Sequence, residues 1–171
     1  VCMERRVIRT RGLVLAACVL FACTVWLLPI IGEHTREALF TLSFLDVGQG
    51  DAVLIETPDG IEVLVDGGPN GGVLRELAST LGPFDRTIDM VVATHLDSDH
   101  IGGLIDVLDT YQIGTILTTN NIQDGPAVMR YTDAVAREGA EVVYAHAGQQ
   151  FALGASTTLS VLFPRGDVAH M

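Results

Sequence analysis

Residues 94–104 read THLDSDHIGGL, and positions 95–100 alone hold two histidines and two aspartates. The residues that follow turn at once apolar and glycine-containing. Before the stretch, TIDMVVAT (87–94) is a nearly unbroken apolar run of strand length, as expected of a strand buried on both faces. After it, Ile101, Leu104, Ile105 and Leu108 recur at helical spacing, which predicts a helix over 100–111. The ligand-rich stretch therefore stands at the carboxyl end of a buried strand and the entry to a helix, the edge where open α/β sheets gather their sites. In an extended loop His95, Asp97 and Asp99 recur at every second residue and share a direction, and His100 begins the helix that turns back over them. Imidazole nitrogen together with carboxylate oxygen suits zinc, manganese or iron better than a purely soft or purely hard ion.

Two other readings of the stretch are available. Asp97, Ser98 and Asp99 can cap the helix, accepting from its free amide groups, but capping accounts for one acid and calls for no histidine. A calcium loop beginning Asp97-x-Asp99 fails, because Ile101 takes the next ligand position and Leu108 the place of the closing glutamate.

The rest of the chain places this stretch in a layered domain. ALFTLSFLD (38–46) and DAVLIET (51–57) predict strands, and Pro58-Asp59-Gly60 a turn into a hairpin partner, IEVLVD (61–66). Val73, Leu74, Leu77 and Leu81 share one face of a helix over 73–81, closed by Gly82 and Pro83. Further strands are predicted at 113–119, 141–147 and 156–164, with a helix opened by Pro126 and ended near Gly139. Strands followed by alternating strand and helix indicate an α/β domain with helices covering the sheet.

Charge and hydropathy divide the chain. Of its 171 residues 49% are hydrophobic and 6% aromatic, enough for a packed core and against disorder. Residues 1–12 hold four arginines and one glutamate, whereas residues 33–171 are strongly acidic, and the whole carries −11. Such a body repels phosphate backbones at long range, which excludes tight unassisted DNA binding, although bound divalent metal reverses the sign locally. Between these parts LVLAACVLFACTVWLLPII (13–31) has no charge in nineteen positions, the length of a transmembrane helix. Arg5, Arg6, Arg9 and Arg11 precede it, and Glu33 and Glu37 follow, which sets the amino terminus in the cytoplasm and the acidic body outside. A cleavable signal, a lipoprotein box at Leu15-Ala16-Ala17-Cys18 and a buried helix are the competing readings of the segment. Cys2, Cys18 and Cys23 all lie in or before it, so any metal in the body is held by His, Asp and Glu.

HLDSDH is similar to the HxHxDH signature of the metallo-β-lactamase superfamily, with Asp97 at the position of the middle histidine. Together with FLDVGQGDAVLIE (44–56) and VLVDGG (63–68) it resembles the ComEC-like subgroup, named for a DNA-internalisation competence protein. The resemblance covers residues 40–171, the first half of such a domain. It implies an αββα sandwich, incomplete here and preceded by one transmembrane helix, with one or two divalent ions, zinc or manganese, that activate water for hydrolysis. By that resemblance His95 and Asp97 serve one metal, Asp99 and His100 the other, and catalytic Asp99 orients the attacking water. Asp66 fixes ligand geometry from behind; an ordinary Asp-Gly turn is its other reading. The Gly48-Gln49-Gly50-Asp51 loop takes a structural place beneath the site, where glycine permits positive φ and close backbone approach.

The implied substrate is a phosphodiester, DNA included, with a small ester or surface phosphorylcholine as the alternative and a degenerate, non-catalytic binding module as another. Asp97 in place of histidine moves metal preference toward harder ions such as manganese. The superfamily's bridging aspartate and later histidines have no counterpart before Met171, where His146 and His170 are the later histidines, so an isolated half sandwich is expected to be a poor catalyst with an exposed apolar sheet face.

Overall fold

The computed structural model describes residues 18–25, 39–82 and 84–166. The chain divides into two units, Val1–Glu37 and Ala38–Met171. In the first, residues 18–25 are helical (α1) and exposed. Among the described residues no helix is long and apolar enough to cross a membrane. Apart from 18–25, the expected span over 13–31 lies outside the described residues, as does the basic segment 1–12.

The second unit opens with β1 (Thr41–Phe44), β2 (Val53–Glu56) and β3 (Glu62–Val65). It continues through α2 (Gly72–Thr80), β4 (Thr87–Val92), α3 (Ser98–Leu108), β5 (Gln112–Thr118), α4 (Pro126–Glu138) and β6 (Glu141–Tyr144), and ends with β7 (Gln150–Ala152) and β8 (Thr158–Ser160). Six strands form one sheet in the order β1-β2-β3-β4-β5-β6, and β7 with β8 form a second. The β1–β3 meander is antiparallel and β3 to β6 are parallel, as the intervening helices require.

Strand periodicity sends alternate side chains to opposite faces, and both are used. Leu54, Leu64, Val91 and Ile116 meet Val73 and Leu77 of α2, Ile101 and Leu104 of α3, and Tyr131 and Ala134 of α4. Each fully buried Leu or Ile there contributes about 1.5–3 kcal/mol relative to exposure. Their neighbours Val63, Met90 and Leu117 face the other way and pack with Leu153 and Val161 from around the small sheet. β4 is thus buried on both sides, as its apolar run implies. The second layer is tied down at the hairpin turn, where Gly60 has φ 81° and the Asp59 carboxylate accepts the Ala155 N–H at 2.8 Å.

Several expectations are corrected. The helix expected at 100–111 is α3, beginning at Ser98 and ending at Leu108. Asp99 is consequently helical, and the every-second-residue alternation of His95, Asp97 and Asp99 breaks at Ser98. The cause is the backbone turn at Asp97, φ −72° and ψ 145°, whose carbonyl accepts the His100 and Ile101 amides at 3.0 Å each. The strand expected at 156–164 is only β8, Thr158–Ser160; beyond it Val161 still donates to the Gln149 carbonyl at 3.0 Å and accepts the Gly148 amide at 2.9 Å, and residues 162–164 are irregular. β7 was not foreseen, because three residues are too few to display a period.

Candidate metal centre

The centre is assembled by two strand ends and one helix start. β3 delivers Asp66, β4 delivers Thr94 and His95, and the first turn of α3 delivers Asp99 and His100. Asp66 has φ 56°, the one left-handed non-glycine residue among those described. An L side chain holds that conformation only when its surroundings over-determine it, and such strain clusters at functional positions. Here the determinants are visible. The Asp66 amide donates to the Val92 carbonyl at 2.8 Å, and its carboxylate accepts the Thr94 N–H at 2.9 Å and the Thr94 hydroxyl at 2.6 Å. The second of those oxygens also meets His100 Nδ1 at 2.8 Å.

Counting donors then assigns both imidazoles. A buried carboxylate only accepts, so His100 carries its proton on Nδ1 and presents a lone pair on Nε2. The Thr94 hydroxyl has one proton and gives it to Asp66, so at 2.9 Å it accepts from His95 Nδ1. His95 therefore also keeps its lone pair on Nε2. One threonine and one aspartate thus engage Nδ1 of both histidines, which leaves Nε2 as the ligating atom of each. The two rings lie 3.8 Å apart between centroids, tilted by 50°.

The acids of the loop surround these nitrogens. Asp97 Oδ2 lies 3.5 Å from His95 Nε2, and Asp99 Oδ2 lies 3.9 Å from His100 Nε2. Asp97 makes no side-chain capping bond, which removes the capping reading for that residue. The Asp66 and His100 side chains are 4% and 13% exposed, while those of Asp97 and Asp99 are 59% and 51% exposed, so the centre is anchored inside and open on its acidic side. Asp66, His95 and His100 lie close enough that one atom of each falls within 4.8 Å of the others; the Asp66 carboxylate is engaged by Thr94 and by His100 Nδ1, so within that group it braces His100, and Asp97 and Asp99, expected as ligands, stand outside the group. His146 stands apart, its ring turned to the Ala147 carbonyl at 3.4 Å. His170 lies outside the described residues.

Glycines let these parts approach. A Cβ on Gly50 would collide with the Asp99 carbonyl, and one on Gly103 with the Gly67 carbonyl. The Gly67 amide donates to the His100 carbonyl and the Gly103 amide to the Gly68 carbonyl, each at 2.8 Å. The VDGG turn is therefore bolted to the start of α3, and the Gly48–Asp51 loop supports Asp99 from below. The role of Thr94 was missed in the sequence; the signal available was a hydroxyl residue directly before the first histidine. Beside His95, on the face away from the helices, a cavity of about 560 Å³ is lined by Val65, Val92, Leu117, Leu159 and Phe163.

Comparisons bear on this geometry. The profile of the metallo-beta-lactamase superfamily matches residues 45–159. No curated protein matches the chain. A metallo-beta-lactamase from Cronobacter sakazakii, mutated in its HARLDQ motif, is similar at TM-score 0.52 and 19% identity, over 75% of this chain and 53% of that one. MEM-A1, a subclass B3 metallo-beta-lactamase from a soil metagenome library, gives TM-score 0.53 and 18% identity, over 77% of this chain and 53% of its own. The Rm3 metallo-beta-lactamase gives 0.50 and 18%, over 71% and 48%. The chain spans about half the length of these structures, and at such identities the likeness is one of fold.

Proposed function

The chain belongs to the metallo-beta-lactamase superfamily, and from that premise we propose that it is a metal-dependent hydrolase of phosphodiester bonds, of the ComEC-like kind. The observation that carries the reading is the paired placement of His95 and His100, each with Nδ1 within hydrogen-bond distance of Thr94 or Asp66 and Nε2 toward a loop carboxylate. The donor set fits a divalent ion of borderline hardness, zinc or manganese, with Asp97 and Asp99 adding oxygen. His95, Asp97, Asp99 and His100 would hold one or two ions, and Asp66 would fix His100 from behind. When bound, such an ion supplies Lewis acidity toward a phosphoryl oxygen and makes water a stronger acid.

The chain's own residues do the remainder. Asp99, half-exposed in the first turn of α3, orients the attacking water and accepts its proton. Asp66 and Thr94 hold both imidazoles against rotation, so the ligand geometry is fixed before substrate arrives. The phosphodiester preference rests on the three motifs FLDVGQGDAVLIE, VLVDGG and THLDSDHIGGL. Anchoring by residues 13–31, with the amino terminus cytoplasmic and the hydrolase outside, belongs to the same proposal and rests on their apolar length and the flanking arginines. Reporter fusions after residues 12 and 40 test it, and a cytoplasmic reporter at residue 40 would sink it.

A second reading, hydrolysis of a small ester including phosphorylcholine, draws on the cavity beside His95, whose mainly apolar lining, without an arginine or lysine, suits an organic substituent more than a polyanion. The discriminating experiment strips the protein with chelator, restores manganese or zinc, and assays bis-p-nitrophenyl phosphate against p-nitrophenyl acetate and p-nitrophenyl phosphorylcholine. Turnover of the phosphodiester, lost in both His95→Ala and Asp99→Ala, is the expected result. Metal uptake without turnover of any substrate would favour a non-catalytic binding module, and no stoichiometric uptake would end the hydrolase reading.

A further inference from the structure

The cavity beside His95 has a floor that the sheet register builds. Val65, Val92 and Leu117 are Cα partners across β3, β4 and β5, so they form one apolar row on the face away from the helices. The facing wall comes from β8 and the chain beyond it, with Leu159, Leu162 and Phe163. Backbone bonds pin that wall: the Val161 amide donates to the Gln149 carbonyl at 3.0 Å, and the Ala147 amide to the Pro164 carbonyl at 2.6 Å. Leu162 and Phe163 are 80% and 69% exposed and stand at the rim. Floor and wall belong to different layers, so the space of about 560 Å³ between them is a cleft of the size that holds a small organic ligand.

Polarity is unevenly placed within it. Thr94 and His95 follow β4, Thr119 and Asn121 follow β5, and these parallel strands end at one edge, so that polar lining gathers where the candidate metal centre stands. His95 belongs to both places, and its side chain is 43% exposed. No carboxylate, arginine or lysine is among the described residues that line the cleft, so a charged group seated deep in it would lose hydration without a counter-ion. A ligand that satisfies both ends is therefore apolar over most of its length and carries its polar, reacting group at the His95 end. The acidic body favours the same choice, because it repels a polyanion at long range and a singly charged amphiphile far less.

We propose that the cleft binds the hydrocarbon chain of an amphiphilic substrate, a phosphodiester with one alkyl substituent, whose phosphate then lies at the metal centre. The placing of the phosphate rests on the metal-dependent phosphodiesterase reading. Binding of the chain needs no metal.

The test is a calorimetric titration of the full chain, first in excess EDTA with butanol, hexanol and octanol, then with manganese restored and octyl methyl phosphate as the probe. In EDTA the expected result is saturable one-to-one binding that tightens about fourfold for each added methylene, the worth of burying one such group. Ala145→Phe, which fills the cleft from the residue after β6, should abolish octanol binding. Phe163→Ser, at an exposed rim position that the core does not need, should weaken it severalfold. Manganese should tighten octyl methyl phosphate by about tenfold or more and leave octanol unchanged. Absence of saturation by any alkanol, affinity independent of chain length, or wild-type affinity in both variants would overturn the proposal. So would a manganese-loaded protein that binds octyl methyl phosphate no better than octanol, since chain and phosphate would not share one site. A wild-type dimer in sedimentation velocity that Ala145→Phe converts to monomer would assign the cleft to a second copy and overturn it equally. If no manganese is taken up, the hydrolase reading fails, and the alkanol titration still decides the cleft by itself.

Discussion

Asp66 combines a left-handed backbone, near-complete burial and a carboxylate engaged by Thr94 twice and His100 once. Asp66→Asn keeps the volume but puts an amide donor where an acceptor is needed, so His100 loses its fixed tautomer. Metal affinity in that variant should fall about 10- to 100-fold, measured by competition with a chromogenic chelator; unchanged affinity would remove Asp66 from the site. Tyr131 supplies a separate residue-scale test. Its phenol is raised from 10.0 to about 12, chiefly by burial. A raised folded-state value gives stability that is complete below pH 10 and lost as pH rises toward 12, amounting to about 3 kcal/mol. Tyr131→Phe cannot ionise, so its stability should decline less over that window in denaturant titrations at stepped pH. A parallel decline in both proteins would count against the burial account.

At the scale of elements, backbone proximity decides. An alanine normally favours a helix interior over glycine by about 1 kcal/mol. Gly103 lies inside α3, yet its Cβ would meet the Gly67 carbonyl, which is backbone and cannot swing away. The clash therefore outweighs propensity, and Gly103→Ala should destabilise by about 1–3 kcal/mol in urea unfolding, with His100 displaced and metal affinity reduced together. A stabilised variant would show that the turn and helix are not locked. The sequence made α3 legible through Ile101, Leu104, Ile105 and Leu108, but not its first turn, since Asp97-Ser98-Asp99 carries no apolar period. It made β4 legible as a doubly buried strand and left β7 invisible.

Across the whole molecule, the sheet face away from the helices is incompletely covered. Along the edge strand β1, Leu42 and Phe44 are 50% and 81% exposed, while the cluster around β7 and β8 covers Val63, Met90 and Leu117 fully and Ile55, Val65, Val92 and Val143 in part. An apolar edge of this kind is an association hazard. Phe44→Lys should therefore lower self-association in light scattering while changing unfolding free energy by no more than about 0.5 kcal/mol, as for exposed positions generally. A large loss of stability would mean that Phe44 is packed rather than exposed. The apolar face was foreseen from the expected half sandwich; the small second sheet that partly shields it was not.

What the sequence determined by itself is local: the ligand types gathered at 95–100, the apolar strand before them, the helical period after them, and the glycines that permit close approach. These are legible because a side-chain period or a cluster of ligands is written in consecutive residues. Tertiary structure alone decided that Asp66, 34 positions before His100, would hold that ring, and that Thr94 would choose the tautomer of His95. It also decided that Val65, Val92 and Leu117 would line one cavity beside His95. Such pairings depend on which strand ends the parallel sheet sets side by side, and no period along the chain records that neighbourhood.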